Sequence, residues 1–139
     1  MMTEESDAII SLLKKYPQHC YDWYWVSRDP NITLEHVKEN PDLPWNFSGL
    51  SKNINILPKH VEDNPDFPWD WKELSINPNI TIDFVKRHSC KLSWPTLSTN
   101  PSIKIKDIKE NPELPWCWNL IFSINRLDNE KYMKVLQNK

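Results

Sequence analysis

The residues best suited to nucleophilic chemistry are three cysteines, two of which lie close to a histidine. Cys20 follows His19 directly, and Cys90 lies two residues after His88. A cysteine nucleophile needs a base within hydrogen-bond reach, but neighbouring residues on a helix point about 100° apart. Cys90 also takes the place of apolar residues elsewhere in the chain, so we expect it in the core. The sequence therefore predicts no catalytic residue and no enzyme, and the cysteines are expected to be free thiols.

The sequence also lacks the residue patterns of a metal site and of a phosphate-binding loop. His36 and His60 lie 24 residues apart in equivalent surroundings and could approach each other. A zinc site needs three or four ligands, and no cysteine or acid recurs at positions that would complete one. We therefore expect surface histidines and no bound metal. Gly49 is the only glycine, which excludes a glycine-rich phosphate loop. No cofactor is predicted.

Charged residues offer an alternative chemistry, the binding of nucleic acid. The formal net charge is −2, yet residues 1–70 hold 6 Lys/Arg against 12 Asp/Glu and residues 71–139 hold 11 against 7. Such polarity can favour head-to-tail self-association. Six basic residues could also form a strip that binds nucleic acid, although acidic residues are interleaved. They are Lys86, Arg87, Lys91, Lys104, Lys106 and Lys109.

The tryptophans divide into two main sets. Trp23, Trp71 and Trp94 share a position with Phe47 on an apolar stripe, which predicts a place in the core. A second set lies two residues earlier, off that stripe, and consists of Trp45, Trp69 and Trp116. Its members either pack on a neighbouring segment or a proline turn, or form an exposed aromatic column that binds a partner.

These positions are comparable because the chain repeats itself with a period of about 24 residues, in five copies. An isoleucine column contains Ile32, Ile56, Ile80 and Ile103. A leucine column contains Val26, Leu50, Leu74, Leu97 and Phe122. Further columns follow at Val37, Val61, Val85 and Ile108, and in the segments "ENPDLPW", "DNPDFPW" and "ENPELPW". Such self-similarity is the signature of a repeat architecture.

The pattern of each copy predicts two short helices in that copy. The first begins at a capping position, and the Asn-Pro pair that follows ends it, because the residue before a proline is driven out of helical geometry. The capping positions are Thr33, Leu57, Thr81 and Lys104. The second helix is predicted to begin at Pro44, Pro68 or Pro115, since proline suits the first helical residue.

Both ends of the chain fit this scheme, with a helix over residues 4–16, repeats over about 17–125 and a final helix over 127–137. The predicted fold is all-α: a short α-solenoid that forms one domain over residues 1–139. No segment has the length and apolar character of a membrane span or a signal peptide. The protein is therefore expected inside the cell.

The segments "NPNITIDFV", "ENPDLPWNF" and "NPDFPWDWKELSINPNIT" resemble the tandem repeats of large nucleocytoplasmic DNA viruses of amoebae, of the mimivirus and marseillevirus type. The resemblance covers residues 16–125 and implies a viral protein in the host cytoplasm, the nucleus or the virion. The resemblance implies no catalytic residues for this chain. We expect a non-enzymatic protein-interaction module or particle component with an unidentified partner. The alternatives are the nucleic-acid strip and a self-associating structural protein.

Overall fold

The computed structural model describes residues 4–123, which contain ten α-helices and no strand. The helices are α1 (Glu4–Lys15), α2 (Trp23–Arg28), α3 (Leu34–Glu39), α4 (Phe47–Ser51), α5 (Pro58–Asp63), α6 (Trp71–Leu74), α7 (Ile82–Arg87), α8 (Trp94–Ser98), α9 (Ile105–Glu110) and α10 (Trp118–Ser123). They form five units, each with an A helix (α1, α3, α5, α7, α9) followed by a B helix (α2, α4, α6, α8, α10). The chain is thus a small all-α, solenoid-like repeat fold, and the helix predicted over 127–137 lies outside the described residues.

The A helices of the second to fifth units begin where the sequence predicts. Their N-cap residues are Thr33, Leu57, Thr81 and Lys104. The hydroxyls of Thr33 and Thr81 accept a hydrogen bond from the third backbone N–H of the helix, which satisfies one of its unpaired donors. In α3 the bond is returned, because Nδ1 of His36 accepts the N–H of Thr33 at 2.9 Å.

The B helices begin later than the sequence predicts. The predicted first residue is a proline, and the observed one lies three positions further on: Phe47 after Pro44, Trp71 after Pro68, and Trp118 after Pro115. For α4 and α6 the reason is the residue before the aromatic. The side chain of Asn46 accepts the N–H of Gly49 at 3.0 Å, and Asp70 accepts the N–H of Glu73 at 3.2 Å. These side-chain caps require extended backbone, so the proline belongs to the preceding turn.

The core consists of aliphatic columns that run from unit to unit. The buried members include Ile32, Ile56, Ile80, Ile103, Val37, Val61, Val85, Ile108, Leu50, Leu74 and Leu97. The fifth member of the leucine column is Ile121 and not Phe122, because Ile121 is fully buried whereas Phe122 is only half-buried. The prediction for Cys90 is also wrong. The turn before α8 is one residue shorter than the turn before α6, so Cys90 is exposed and Leu92 is buried instead.

Three buried asparagines connect successive units and form what we call the asparagine ladder: Asn53, Asn77 and Asn100. Nδ2 of Asn77 donates to the carbonyls of Ser51 at 2.7 Å and Asn53 at 3.2 Å, both in the preceding unit. Its Oδ1 accepts the N–H of Asn79 at 2.8 Å within its own turn. Asn53 and Asn100 repeat this pattern. The ladder thereby satisfies the carbonyls of Ser27, Ser51 and Ser75. The carbonyls of Asp29, Asn53 and Asn77, which it also binds, accept in addition an isoleucine N–H within their own turn.

Four buried serines form a second series, the serine ladder: Ser27, Ser51, Ser75 and Ser98. The hydroxyl of Ser75 donates to the carbonyl of Trp71 at 2.6 Å and accepts the N–H of Ser93 at 2.8 Å. Ser93 is the N-cap of the next B helix. Each serine therefore ties the end of one B helix to the start of the next, and the equivalent bonds to Asn46, Asp70 and Cys117 are 2.8, 2.9 and 2.8 Å long.

The single glycine lies where two B helices approach most closely. A Cβ atom at Gly49 would overlap the backbone carbonyl of Tyr24 in α2. Backbone cannot retreat as the end of a flexible side chain can, so the contact between α2 and α4 requires a residue without a side chain. The equivalent residue of α6 is Glu73, which shows that this close approach is particular to the first B-helix pair.

The first prediction concerns the contribution of the asparagine ladder to stability. Asn77→Ala should lower the free energy of unfolding by about 2 kcal/mol, because it leaves the carbonyl of Ser51 and the N–H of Asn79 without their partner. Urea denaturation followed by circular dichroism measures the loss. Asn119→Ala, which truncates an exposed amide in α10, should change the same quantity by less than about 0.5 kcal/mol. Equal losses in the two variants would contradict a special role for the ladder.

A second prediction concerns Gly49→Ala. Alanine favours a helix over glycine by about 1 kcal/mol, whereas a forced overlap costs about 1–3 kcal/mol. We expect the overlap to dominate, so thermal denaturation should show a lower Tm than the wild type. Glu73→Ala serves as the matched control and should change stability by less than about 0.5 kcal/mol. A stabilised Gly49→Ala variant would show that α2 can move away from α4 without cost.

Candidate functional site

The exposed aromatic column considered as a partner surface is not what the structure shows. Trp69 and Trp116 are 7% and 4% exposed, and Trp45 is half-buried. Each indole N–H donates to the main-chain carbonyl of the asparagine five residues earlier, at 2.8–2.9 Å. That asparagine ends the A helix; in the third unit it is Asn64. These tryptophans therefore pack on the proline turns, which was the other interpretation of their position.

The tryptophans predicted for the core lie nearer the surface than expected. Trp23, Trp71 and Trp94 are all half-buried. Trp71 stacks on Phe84 with ring centres 5.9 Å apart, and Trp94 packs edge-on against Trp116 at 5.1 Å. Each is the first residue of its B helix, and Trp71 and Trp94 pack against the core without being enclosed by it.

An apolar groove of about 430 Å³ opens between the second and third units. We call it the Trp45 groove, and its lining includes Lys38, Leu43, Pro44, Trp45, Phe47 and Phe67. The ring of Phe47 lines it and meets Phe67 edge-on at 5.5 Å. Leu43 and Phe67 belong to the proline turns before α4 and α6, where they are half-buried.

The equivalent surface between the third and fourth units carries additional side chains. Trp71 there corresponds to Phe47, and the ring of His88 lies 5.3 Å from it. Nζ of Lys91 lies 5.0 Å above the same ring, a favourable cation–π arrangement. Both residues belong to the shortened turn "RHSCKL" of the fourth unit. The groove is therefore a feature of the second and third units.

Glu62 is the centre of the ion pairs that connect α5 with the end of α7. Its carboxylate accepts two bonds from Arg87, from Nε at 2.8 Å and from Nη2 at 2.9 Å, and Nε2 of His88 lies 3.0 Å from Oε2. These hydrogen bonds, first that of Arg87 and then that of His88, lower the pKa of Glu62 to about 2. In return, the carboxylate raises the pKa of Arg87.

The six basic residues of the predicted strip are all exposed, namely Lys86, Arg87, Lys91, Lys104, Lys106 and Lys109. Only Lys86 and Lys109 occupy the same position on successive A helices. Arg87 and Lys106 lie at positions that carry an acidic residue in the neighbouring A helix. Arg87 is paired with Glu62, and Nζ of Lys106 lies 3.9 Å from Glu110. The strip is thus a surface of mixed charge rather than a continuous basic band.

Histidines and cysteines do not come together in the described part of the chain. Between residues 4 and 123, no cluster of three or more His, Cys, Asp or Glu could hold a metal ion. His36, expected at the surface, is buried, because its ring serves as an acceptor in the cap of α3. Cys20 and Cys90 are exposed free thiols and Cys117 is a half-buried one.

No helix within residues 4–123 is both long and apolar enough to cross a bilayer. Comparison of the chain with family models, with curated proteins and with solved structures gives no match. The resemblance to viral repeats therefore stays a prediction from the sequence.

The ion pairs of Glu62 give a prediction about pH. The folded-state pKa of about 2 lies below the ordinary value of 4.5, so the folded state binds fewer protons than the unfolded state. The resulting stabilisation is fully present above about pH 4.5 and is lost as the pH falls towards about 2. Glu62→Gln should remove this part of the pH dependence, as measured by urea denaturation between pH 2 and 7.

Glu113→Gln is the matched control, because no ion pair of Glu113 is found within residues 4–123. It should keep the wild-type loss of stability between about pH 4.5 and 2. If Glu62→Gln shows the same acid dependence as the wild type, the ion pairs with Arg87 and His88 do not contribute to folding.

Proposed function

We propose that the protein is a non-enzymatic module that binds an apolar segment of a partner protein in the Trp45 groove. The observation that carries this proposal is the groove itself, a volume of about 430 Å³ lined mainly by aromatic and proline side chains. Aromatic side chains bury large areas and dominate the energetics of many protein interfaces. The repeat supports a setting in an infected host cell or a virion, through its resemblance to viral repeats.

The groove has the features of a peptide site. Its polar groups are few, because the indole N–H of Trp45 is already bonded to the carbonyl of Asn40 at 2.8 Å. The main affinity must therefore come from the burial of apolar side chains of the partner on Leu43, Phe47 and Phe67. Lys38, exposed at the rim, would favour a carboxylate beside that apolar segment.

Photo-crosslinking tests this proposal directly. A photoreactive residue in place of Lys38 should form a covalent adduct with a partner protein in extracts of cells that contain the protein. The same residue in place of Lys59, which is exposed outside the groove, should not form that adduct. Identical adducts from both positions, or none from position 38, would refute the proposal.

The adduct must also depend on the apolar lining. Leu43→Asp places a charge in the groove and should reduce the yield of the adduct at least about tenfold, since a buried unpaired charge opposes binding by several kcal/mol. Leu57→Asp introduces the same charge at an exposed position outside the groove and should leave the yield unchanged. Circular dichroism of both variants verifies that they are folded.

A further inference from the structure

A second surface lies on the turns that follow the B helices, and it was not singled out by the sequence. It forms a groove of about 370 Å³ that spans the first three units. Two columns of the repeat line it. Arg28, Lys52 and Ile76 occupy one position of successive turns, and Pro30, Ile54 and Pro78 occupy another.

Trp25 extends this surface towards the first unit. The guanidinium of Arg28 lies 5.0 Å above the Trp25 ring, and Arg28 also lines the groove. Trp25 is 58% exposed and Ile54 is 56% exposed, which places them among the few large apolar side chains that face solvent. We call the combined surface the turn edge: Trp25, Arg28, Lys52, Ile54, Ile76 and Pro78.

The charges of the turn edge have one sign. Arg28 and Lys52 are the only charged residues in the groove lining. Within residues 4–123, no carboxylate forms an ion pair with either of them. The neighbouring acid, Asp29, accepts the N–H of Asn31 at 2.8 Å through Oδ1. The turn edge therefore offers two cations, together with apolar side chains, to a partner.

Two main-chain carbonyls of the groove lining already accept a side-chain hydrogen bond. The carbonyl of Pro30 accepts a bond from Nδ2 of Asn55 at 2.8 Å, and the carbonyl of Ile54 accepts one from Nδ2 of Asn79 at 2.7 Å. These two carbonyls are therefore poorly available for pairing with a partner strand. Recognition must instead use the side chains, by pairing with the two cations and by covering Ile54.

We propose that the turn edge binds an extended acidic segment of a partner protein. Packed helices lie about 8–10 Å apart, which matches one turn of an extended polyproline II segment, with three residues at about 3.1 Å each and residues i and i+3 on the same side. One carboxylate pairs with Arg28, a second carboxylate three residues further on pairs with Lys52, and an apolar side chain between them packs on Ile54. This inference rests on the proposed protein-binding function but concerns a different surface.

A synthetic peptide tests the turn edge with the full chain. The probe is a fluorescein-labelled peptide that contains Asp-Leu-Leu-Asp between glycine and serine flanks, and anisotropy reports its binding. We expect saturable binding that weakens several-fold between low and high salt, because exposed ion pairs are screened. Peptides with asparagine for aspartate, or with serine for leucine, should bind at least about tenfold more weakly. Equal binding of the asparagine peptide, or no binding of the probe, would overturn the proposal.

Matched variants locate the binding. The double variant Arg28→Gln with Lys52→Gln should weaken binding about tenfold, the combined effect of two exposed ion pairs. Lys59→Gln with Lys72→Gln removes the same charge from exposed positions elsewhere and should keep the affinity within about twofold. Ile54→Ser should weaken binding. Leu57→Ser, which truncates another exposed aliphatic side chain, should leave the affinity unchanged. Equal losses in the two double variants would show a non-specific effect of charge and would overturn the proposal.

Two other classes of ligand carry negative charge and are outcomes of the same test. Phosphatidylserine-containing vesicles and single-stranded DNA are added as competitors of the labelled peptide. If either binds through Arg28 and Lys52 more tightly than the peptide does, the turn edge is not a peptide site. A negative peptide result leaves the Trp45 groove untouched, because crosslinking through position 38 does not use the turn edge.

Discussion

Hydrogen bonds from a buried side-chain amide to the main chain of the preceding unit hold this solenoid together. The B helices contain only four to six residues, and helices of that length are unstable alone. Nearly all their terminal N–H and carbonyl groups lack partners within the helix. Asn77 supplies such partners to the preceding unit, while Ser75 supplies one to the following unit. A unit is therefore complete only between its neighbours.

The same requirement decides which side chains are left to face a partner. In each proline turn of the "NPDxPW" type, the asparagine and the tryptophan satisfy the polar groups of the turn itself, as Asn64 and Trp69 do. This leaves Leu43 and Phe67, both half-buried, to line the Trp45 groove beside the exposed carboxylates of Asp42 and Asp66. Where the turn is shortened, in the fourth unit, His88 and Lys91 contact the corresponding aromatic surface. The Trp45 groove is thus a consequence of how the turns satisfy their own backbone.

The period, the helical class and the aliphatic columns were predictable, because apolar positions that recur every unit must face neighbouring units. Burial of Trp69 on a proline turn was one of two interpretations that the sequence left open, since an indole N–H that bonds to a turn carbonyl leaves no trace in the periodicity. The prediction for Cys90 was wrong because it applied helical spacing across the turn before α8, which is one residue shorter than the turn before α6. The ladders had a signal in "LSKN", "LSIN" and "LSTN", where polar residues follow a buried leucine at fixed positions. Both grooves combine residues from two or three units, so only the folded chain reveals them.

The direction of the asparagine ladder explains an exception at its beginning. Asn53 donates backwards to the carbonyls of Ser27 and Asp29. Asp29 occupies the ladder position of the first unit, where the chain within residues 4–28 offers no preceding B helix. A carboxylate keeps the acceptor function, since Oδ1 of Asp29 binds the N–H of Asn31 just as Asn77 binds that of Asn79. It lacks the N–H donors of an amide, which would have no carbonyl to meet there. The change from asparagine to aspartate therefore fits the point at which the ladder starts.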